Sequence, residues 1–139
     1  MKKLLYFAIP LVVIILASKF YRSESQSANG SISDAEDCIL SAQTFKETNT
    51  EGTVIIDVRT QKEYDYGHVD NAIVIDIYQR DFKEKVARLD REQKYLVYCK
   101  SGIRSSKAAA YMRKNGFSKV CELEGGINYL SRAGVKLVN

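Results

Sequence analysis

Proline is almost missing from this chain of 139 residues: the only one, Pro10, lies in an apolar run near the N-terminus, so the part that folds has none. Tryptophan is absent and His68 is the single histidine. The three cysteines, Cys38, Cys99 and Cys121, form no C-x-x-C pair and show no metal-ligand spacing. With one imidazole available, that pattern argues against a zinc centre. A strong charge of either sign is also lacking. The formal net charge of +4 is mild and no basic stripe alternates with aromatics, so nothing in the sequence asks for nucleic acid as a partner. No internal repeat or low-complexity tract appears. What is present is the composition of an ordinary globular protein, at a length that suits one compact domain.

Residues 1–22 stand apart. Lys2 and Lys3 precede an unbroken apolar run from Leu4 to Ala17, the layout of a secretory signal. The run is shorter than the roughly 20 residues of a comfortable span, although Phe20 and Tyr21 extend it toward an uncleaved anchor. The expectation is an exported chain, periplasmic or otherwise extracytoplasmic. Residues 1–22 are then a signal peptide or N-terminal membrane anchor, with membrane contact only if they are retained. Residues 23–31 read as a polar linker, and 32–139 as the folded domain.

Within that domain, strand and helix signals alternate. Ser33-Asp-Ala-Glu36 is a capping box that predicts a helix to about Glu47, carrying Cys38. Thr53 to Val58 is a near-continuous apolar run of strand length, the profile of a strand buried on both faces. Thr60-Gln-Lys-Glu63 is a second capping box, opening a short helix that Gly67 ends. Ala72–Ile77 is a further strand, and Phe82, Val86 and Leu89 line one face of a helix from about Gln79 to Leu89. Lys119–Leu123, with Cys121, is the last strand, and Glu124-Gly-Gly126 turns into a final short helix. The alternation predicts an α/β domain whose parallel sheet is covered on both sides. Cys38 and Cys121 read as small core residues, and the odd count leaves at least one thiol free.

The stretch that carries chemistry is Tyr95-Leu-Val-Tyr-Cys99-Lys-Ser-Gly-Ile-Arg104-Ser-Ser-Lys-Ala-Ala-Ala. It reads as a buried strand, a tight loop and a helix capped by Ser105 or Ser106. Cys99 stands where the strand ends. A loop leading into a helix N-terminus presents unpaired N–H groups and the positive end of the helix dipole. A thiolate at the centre of such a ring is favoured over the thiol. Lys100 and Arg104 add positive charge, and Gly102 permits the turn. Asp57, near the end of its strand, needs a partner if buried; Arg59 is close by, and a structural pair is the expectation. His68 is expected to serve as a structural hydrogen-bonding group.

Three segments in order resemble the rhodanese (sulfurtransferase) family: Ile56-Asp-Val-Arg59 with Glu63-Tyr64 and Gly67-His68-Val69, then Cys99-Lys-Ser-Gly-Ile-Arg104-Ser, then Leu123-Glu-Gly-Gly126-Ile127. The resemblance runs from about Ser31 to the C-terminus. It implies a rhodanese-like three-layer domain of the single-domain type, with an approximately five-stranded parallel sheet between helices. It also implies a Cys99 persulfide, formed from thiosulfate or a similar small anionic sulfur donor and discharged to a thiol or cyanide acceptor. The loop residues Lys100, Ser101, Gly102, Ile103, Arg104 and Ser105 would bind the donor, with Lys100 and Arg104 attracting and orienting it. Asp57, Arg59 and His68 would support them, and no cofactor or metal is implied. Asn71 stands where the family usually has Gly, Asp76 where Pro is common and Leu130 where an aromatic follows the glycine turn.

Three rival readings use the same cysteine. A Cys-dependent phosphatase builds its larger cradle from Cys-x5-Arg, whereas four residues separate Cys99 from Arg104 here. A carrier or binding module would present the persulfide without turnover. A redox role would need Cys121 near enough to Cys99 to resolve it, with Cα atoms within about 7 Å.

Overall fold

A computed structural model describes residues 38–139. The N-terminal segment expected to be a signal or anchor, the linker and the capping box at Ser33 lie outside the described residues. Five strands, β1 (Cys38–Leu40), β2 (Thr53–Asp57), β3 (Ile73–Val74), β4 (Lys94–Tyr98) and β5 (Val120–Leu123), form one sheet in the order β1-β5-β4-β2-β3. Every pairing in it is parallel. Five helices connect them: α1 (Ala42–Glu47), α2 (Gln61–Tyr66), α3 (Phe82–Ala87), α4 (Ile103–Lys114) and α5 (Gly126–Arg132). The three-layer α/β arrangement expected from the alternation is the one present.

The strand sequences explain the layers. Side chains alternate across a strand, so Ile55, Leu96, Tyr98, Cys121 and Leu123 enter one core with Phe45, Ile127 and Leu130 from α1 and α5. Ile56, Val97, Cys99 and Val120 enter the other with Phe82 and Val86 of α3 and Ala108, Ala109 and Met112 of α4. The small Ala108 and Ala109 let α4 lie close on the sheet. β4 is flanked on both edges, and Val97, Tyr98 and Cys99 are fully buried. The strand that delivers Cys99 is therefore enclosed on both edges and, from Tyr95 onward, buried.

The N-terminal helix expectation is corrected. The chain runs as strand β1 from Cys38 to Leu40, and α1 begins only after Ser41, whose Oγ accepts the Thr44 amide at 3.0 Å. Pairing decides this: β1 covers the open edge of β5, with Cys38 opposite Cys121 and Leu40 opposite Leu123. Cys38 and Leu40 point inward while Ile39 is exposed. The reading of Cys38 and Cys121 as plain core thiols is also corrected, because the two form a disulfide across this pair. Cys99 is the free thiol. Smaller shifts follow local chemistry. β3 is shorter than Ala72–Ile77, and Asp76 accepts the Tyr78 amide at 2.9 Å just after it. Asn71 takes the left-handed conformation, φ 59°, that its place in the turn requires.

The disulfide joins residues 83 apart in sequence, a long loop to close in the unfolded chain. Reduction should lower stability by about 2–4 kcal/mol. Urea denaturation with and without reductant, in a Cys99→Ser background, should show the midpoint falling; an unchanged midpoint would mean that the bond adds nothing to the β1–β5 edge.

Candidate active site

The site begins where β4 ends. After Cys99 the chain curls through Lys100 and Ser101 to Gly102, whose φ of 99° is in the region that glycine reaches without strain. This turn lets α4 start at Ile103, ahead of the expected caps at Ser105 or Ser106, and Gly102 itself occupies the cap position. Ser105 is thereby freed from capping. Its hydroxyl, fully buried, donates toward the Cys99 sulfur at 3.5 Å and lies 3.0 Å from the Gly102 carbonyl. The Gly102 amide donates to the same sulfur at 3.1 Å.

These contacts set the thiol's acidity. Burial alone raises it, but hydrogen bonds from the Ser105 hydroxyl and the Ser105, Ser101 and Gly102 amides favour the anion and leave Cys99 below its ordinary value. An activated thiolate in a ring of N–H groups is what the loop sequence leads one to expect. The ring is built by the first turn of α4 and the turn before it.

A second element holds the loop from behind. The Ile127 amide donates to the Cys99 carbonyl at 2.9 Å and the Asn128 amide to the Lys100 carbonyl at 3.2 Å. Helix α5 thus uses its otherwise unpaired N-terminal donors to fix the cysteine loop. The approach is so close that a Cβ on Gly126 would stand 2.3 Å from the Cys99 carbonyl oxygen. The glycine turn is visible in the sequence, but what it grips is not.

Arg104 leaves the loop toward α2. Its guanidinium donates to both carboxylate oxygens of Glu63, at 2.8 and 2.7 Å, and lies 5.8 Å over the Tyr78 ring. That pair, with the Thr60 contacts of the capping box, holds the Glu63 carboxyl down at about 2. The sequence shows Glu63 as a capping residue and as part of the first family-like segment, but not its pairing with Arg104, 41 positions away. Lys100 is exposed and makes no ion pair among the described residues. Asp57 and Arg59 form the expected buried pair at 2.6 Å, and Arg59 also donates to the Gly67 carbonyl at 2.8 Å. His68 is turned to Tyr64: its Nδ1 donates to the Tyr64 carbonyl at 3.0 Å, its ring stacks on the Tyr64 ring, and its backbone pairs with Val138. The resolving role considered for Cys121 is corrected, since its sulfur is already bonded to Cys38.

Beside the loop lies a cleft of about 560 Å³ between α2, α5 and the C-terminal segment, with Lys62, Lys100, Asn128 and Ser131 in its walls. Among the described residues no group of side chains is arranged to hold a metal ion.

The Glu63–Arg104 link has a pH signature. Glu63 is held low in the folded chain, so it adds stability fully above the unfolded carboxyl value of about 4.3, and that stability is lost as pH falls toward 2. Urea denaturation across that range should show the wild type losing its stability advantage over Glu63→Gln. Parallel curves for the two would remove the pair from the account.

Comparison with known proteins agrees with this geometry. The tRNA uridine(34) hydroxylase of Citrobacter koseri is 36% identical over 103 residues, covering 71% of this chain and 29% of the relative. That of Salmonella newport is 37% identical over 106 residues, covering 73% and 30%. The chain spans less than a third of these relatives. Among solved structures, a rhodanese-related protein from Thermoplasma volcanium superposes with a TM-score of 0.66 at 31% identity, covering 73% of this chain and 97% of that one. The rhodanese-like domain of an Anabaena protein gives 0.66 at 25% identity, covering 74% and 80%. The family of rhodanese-like domains matches residues 41–133, from just before α1 to just after α5, and so takes in the cysteine loop and the turn that grips it. On sequence, fold and the build of this loop together, the chain belongs to the rhodanese-like domain family.

Proposed function

We propose that the protein is a sulfurtransferase that carries a sulfane sulfur on Cys99. The observation that supports this most is the set of donors around one sulfur atom: the Gly102 amide at 3.1 Å, the Ser105 hydroxyl at 3.5 Å and the neighbouring amides, which favour the thiolate. That thiolate attacks the outer sulfur of thiosulfate or a similar donor. The S–S bond of the donor breaks, its electron pair leaves with sulfite, and Cys99 becomes a persulfide anion. The same N–H groups that hold the thiolate are placed to hold this anion. An acceptor thiol or cyanide then takes the outer sulfur and returns the electron pair to Cys99.

The loop favours this chemistry over phosphoryl transfer. Only four residues separate Cys99 from Arg104, and the Arg104 guanidinium is already engaged by Glu63 rather than open to a phosphate. Lys100 is the cation of the loop that forms no ion pair among the described residues, so attraction of an anionic donor falls mainly to it. Asp57 and Arg59, locked together and to Gly67, are supports.

The relatives are named as tRNA uridine(34) hydroxylases, and this chain matches less than a third of their length; the site described here supports the sulfur reading. We also place the protein outside the cytoplasm. The support is the charged and apolar N-terminal run together with the Cys38–Cys121 disulfide, a bond characteristic of oxidising compartments.

Incubation with thiosulfate should add the mass of one sulfur atom to the wild type and nothing to Cys99→Ala, and turnover of thiosulfate with cyanide should vanish in that variant. Lys100→Ala should raise the KM for thiosulfate several-fold while sparing kcat, as loss of a long-range attraction does. Turnover that survives Cys99→Ala would sink the proposal.

A further inference from the structure

The Cys38–Cys121 bond is not used by the sulfur chemistry described above. Its two sulfurs lie in one core of the sheet and Cys99 in the other, so it does not act by direct exchange with the nucleophile. Cys38 also precedes the residues that match the family, which begin at 41. The bond therefore reaches beyond the shared domain, to β1, the edge strand that pairs with β5 alone.

Two routes lead from this bond to the cysteine loop. One follows β5. Cys38 stands opposite Cys121 and Leu40 opposite Leu123, and the Glu124 amide donates to the Leu40 carbonyl at 2.8 Å. Only Glu124, Gly125 and Gly126 then separate β5 from the Ile127 and Asn128 amides that hold the Cys99 and Lys100 carbonyls. The other follows β1 into α1. Phe45 of that helix shares a cluster with Ile127 and Leu130 of α5, and Lys46 donates to the Ala133 carbonyl at 3.3 Å. Both routes end on α5. A shift of α5 passes directly to the loop, because at Gly126 the two backbones touch with no side chain between them.

We propose that the Cys38–Cys121 pair is a redox control site that sets the reactivity of Cys99. The inference rests on the sulfur-transfer reading and adds its regulation. Closed, the bond fastens the three residues of β1 to β5 and holds α5 against the loop. The reductant is a dithiol, the class of group that thiol–disulfide oxidoreductases carry. One of its thiolates attacks the sulfur of Cys38, the less buried residue of the pair. The S–S bond breaks, the Cys121 sulfur leaves with the electron pair and takes up a proton, and a mixed disulfide forms on Cys38. The second thiolate of the dithiol then attacks its partner sulfur in that mixed disulfide. Cys38 leaves as a thiol and the reductant departs as a disulfide, two electrons having passed to the protein. Opened, β1 is a short edge strand kept by its pairing and packing alone. The grip of α5 slackens, and the loop amides are no longer fixed toward the Cys99 sulfur. An oxidising compartment keeps the bond closed, so the control favours sulfur uptake there.

The full chain is compared in three states: oxidised; reduced with dithiothreitol, which is then removed without oxygen; and as Cys38→Ala/Cys121→Ala, in which Cys99 is the one cysteine left. All are kept in the folded baseline of their urea curves, where a bond that only adds global stability leaves the site unchanged. Uptake of sulfur from thiosulfate at Cys99 is timed by peptide mass below the Cys99 midpoint, where uptake follows the thiolate fraction. It should be about three- to tenfold slower in the reduced chain and in the variant, the effect of about one backbone hydrogen bond. Reoxidation should restore the wild-type rate, and dithiothreitol treatment should leave that of the variant as it was. Thiolate absorbance of the variant should place its midpoint about half a unit to one unit above that of the oxidised chain, the same change read as acidity. Equal uptake rates in the oxidised and reduced chains would overturn the redox control and leave the sulfurtransferase standing. A chain that takes up no sulfur in any state would overturn the sulfur-transfer reading and this inference with it.

Discussion

The Cys99 peptide group is gripped from outside the loop that carries it. Ile127 donates to the Cys99 carbonyl and Asn128 to that of Lys100, and the two backbones meet only because residue 126 has no side chain. With those carbonyls fixed, the amides on the other side of the same loop are turned inward, toward the sulfur. The grip in turn depends on where β5 ends. That strand is tied on one edge to β4 and on the other to β1, where the Cys38–Cys121 bond and the Glu124 amide on the Leu40 carbonyl, at 2.8 Å, hold it. A disulfide on the opposite face of the sheet thus belongs to the same mechanical chain as the surroundings of Cys99.

The positive groups near the loop fall into two kinds. Arg59 and Arg104 are each bound to a carboxylate, and each reaches between elements: Arg59 from the end of β2 to Gly67, Arg104 from α4 to α2. Their charge is spent locally, on holding backbone and helices in place. Lys62 and Lys100 form no ion pair among the described residues and line the cleft. Under the proposed function, this division leaves shape to the arginines and attraction of an anion to the lysines. It also accounts for the rigid guanidinium forks at the first kind of site and the flexible ammonium groups at the second.

Much of the fold was legible because its strands are unambiguous. The runs at Thr53 and Tyr95 are apolar on both faces, which only a covered parallel sheet satisfies, and the Thr60–Glu63 capping box forms as written. The N-terminal edge was not legible. Ser33 to Glu47 has helix signals, and β1 exists because β5 offers an open edge and Cys121 a partner, both 80 or so residues away in a chain whose pairing distance is 83. Within the site, Cys99 and its loop were readable from local pattern, since strand, turn and helix are consecutive. The serine caps were misread because a glycine in the left-handed region starts the helix early and turns Ser105 to the sulfur. The Glu63–Arg104 pair and the grip of α5 join distant segments, and no local spacing announces them.

The central claim is that one buried sulfur is held as an anion by the loop around it. Because Cys99 is the free thiol of the folded domain, thiolate absorbance in the ultraviolet, measured against Cys99→Ser as blank, reports it alone. The account predicts a titration midpoint below the ordinary thiol value of about 8.5, and a rise in that midpoint in Ser105→Ala. A midpoint at or above the ordinary value, unmoved by the loss of the Ser105 hydroxyl, would contradict it.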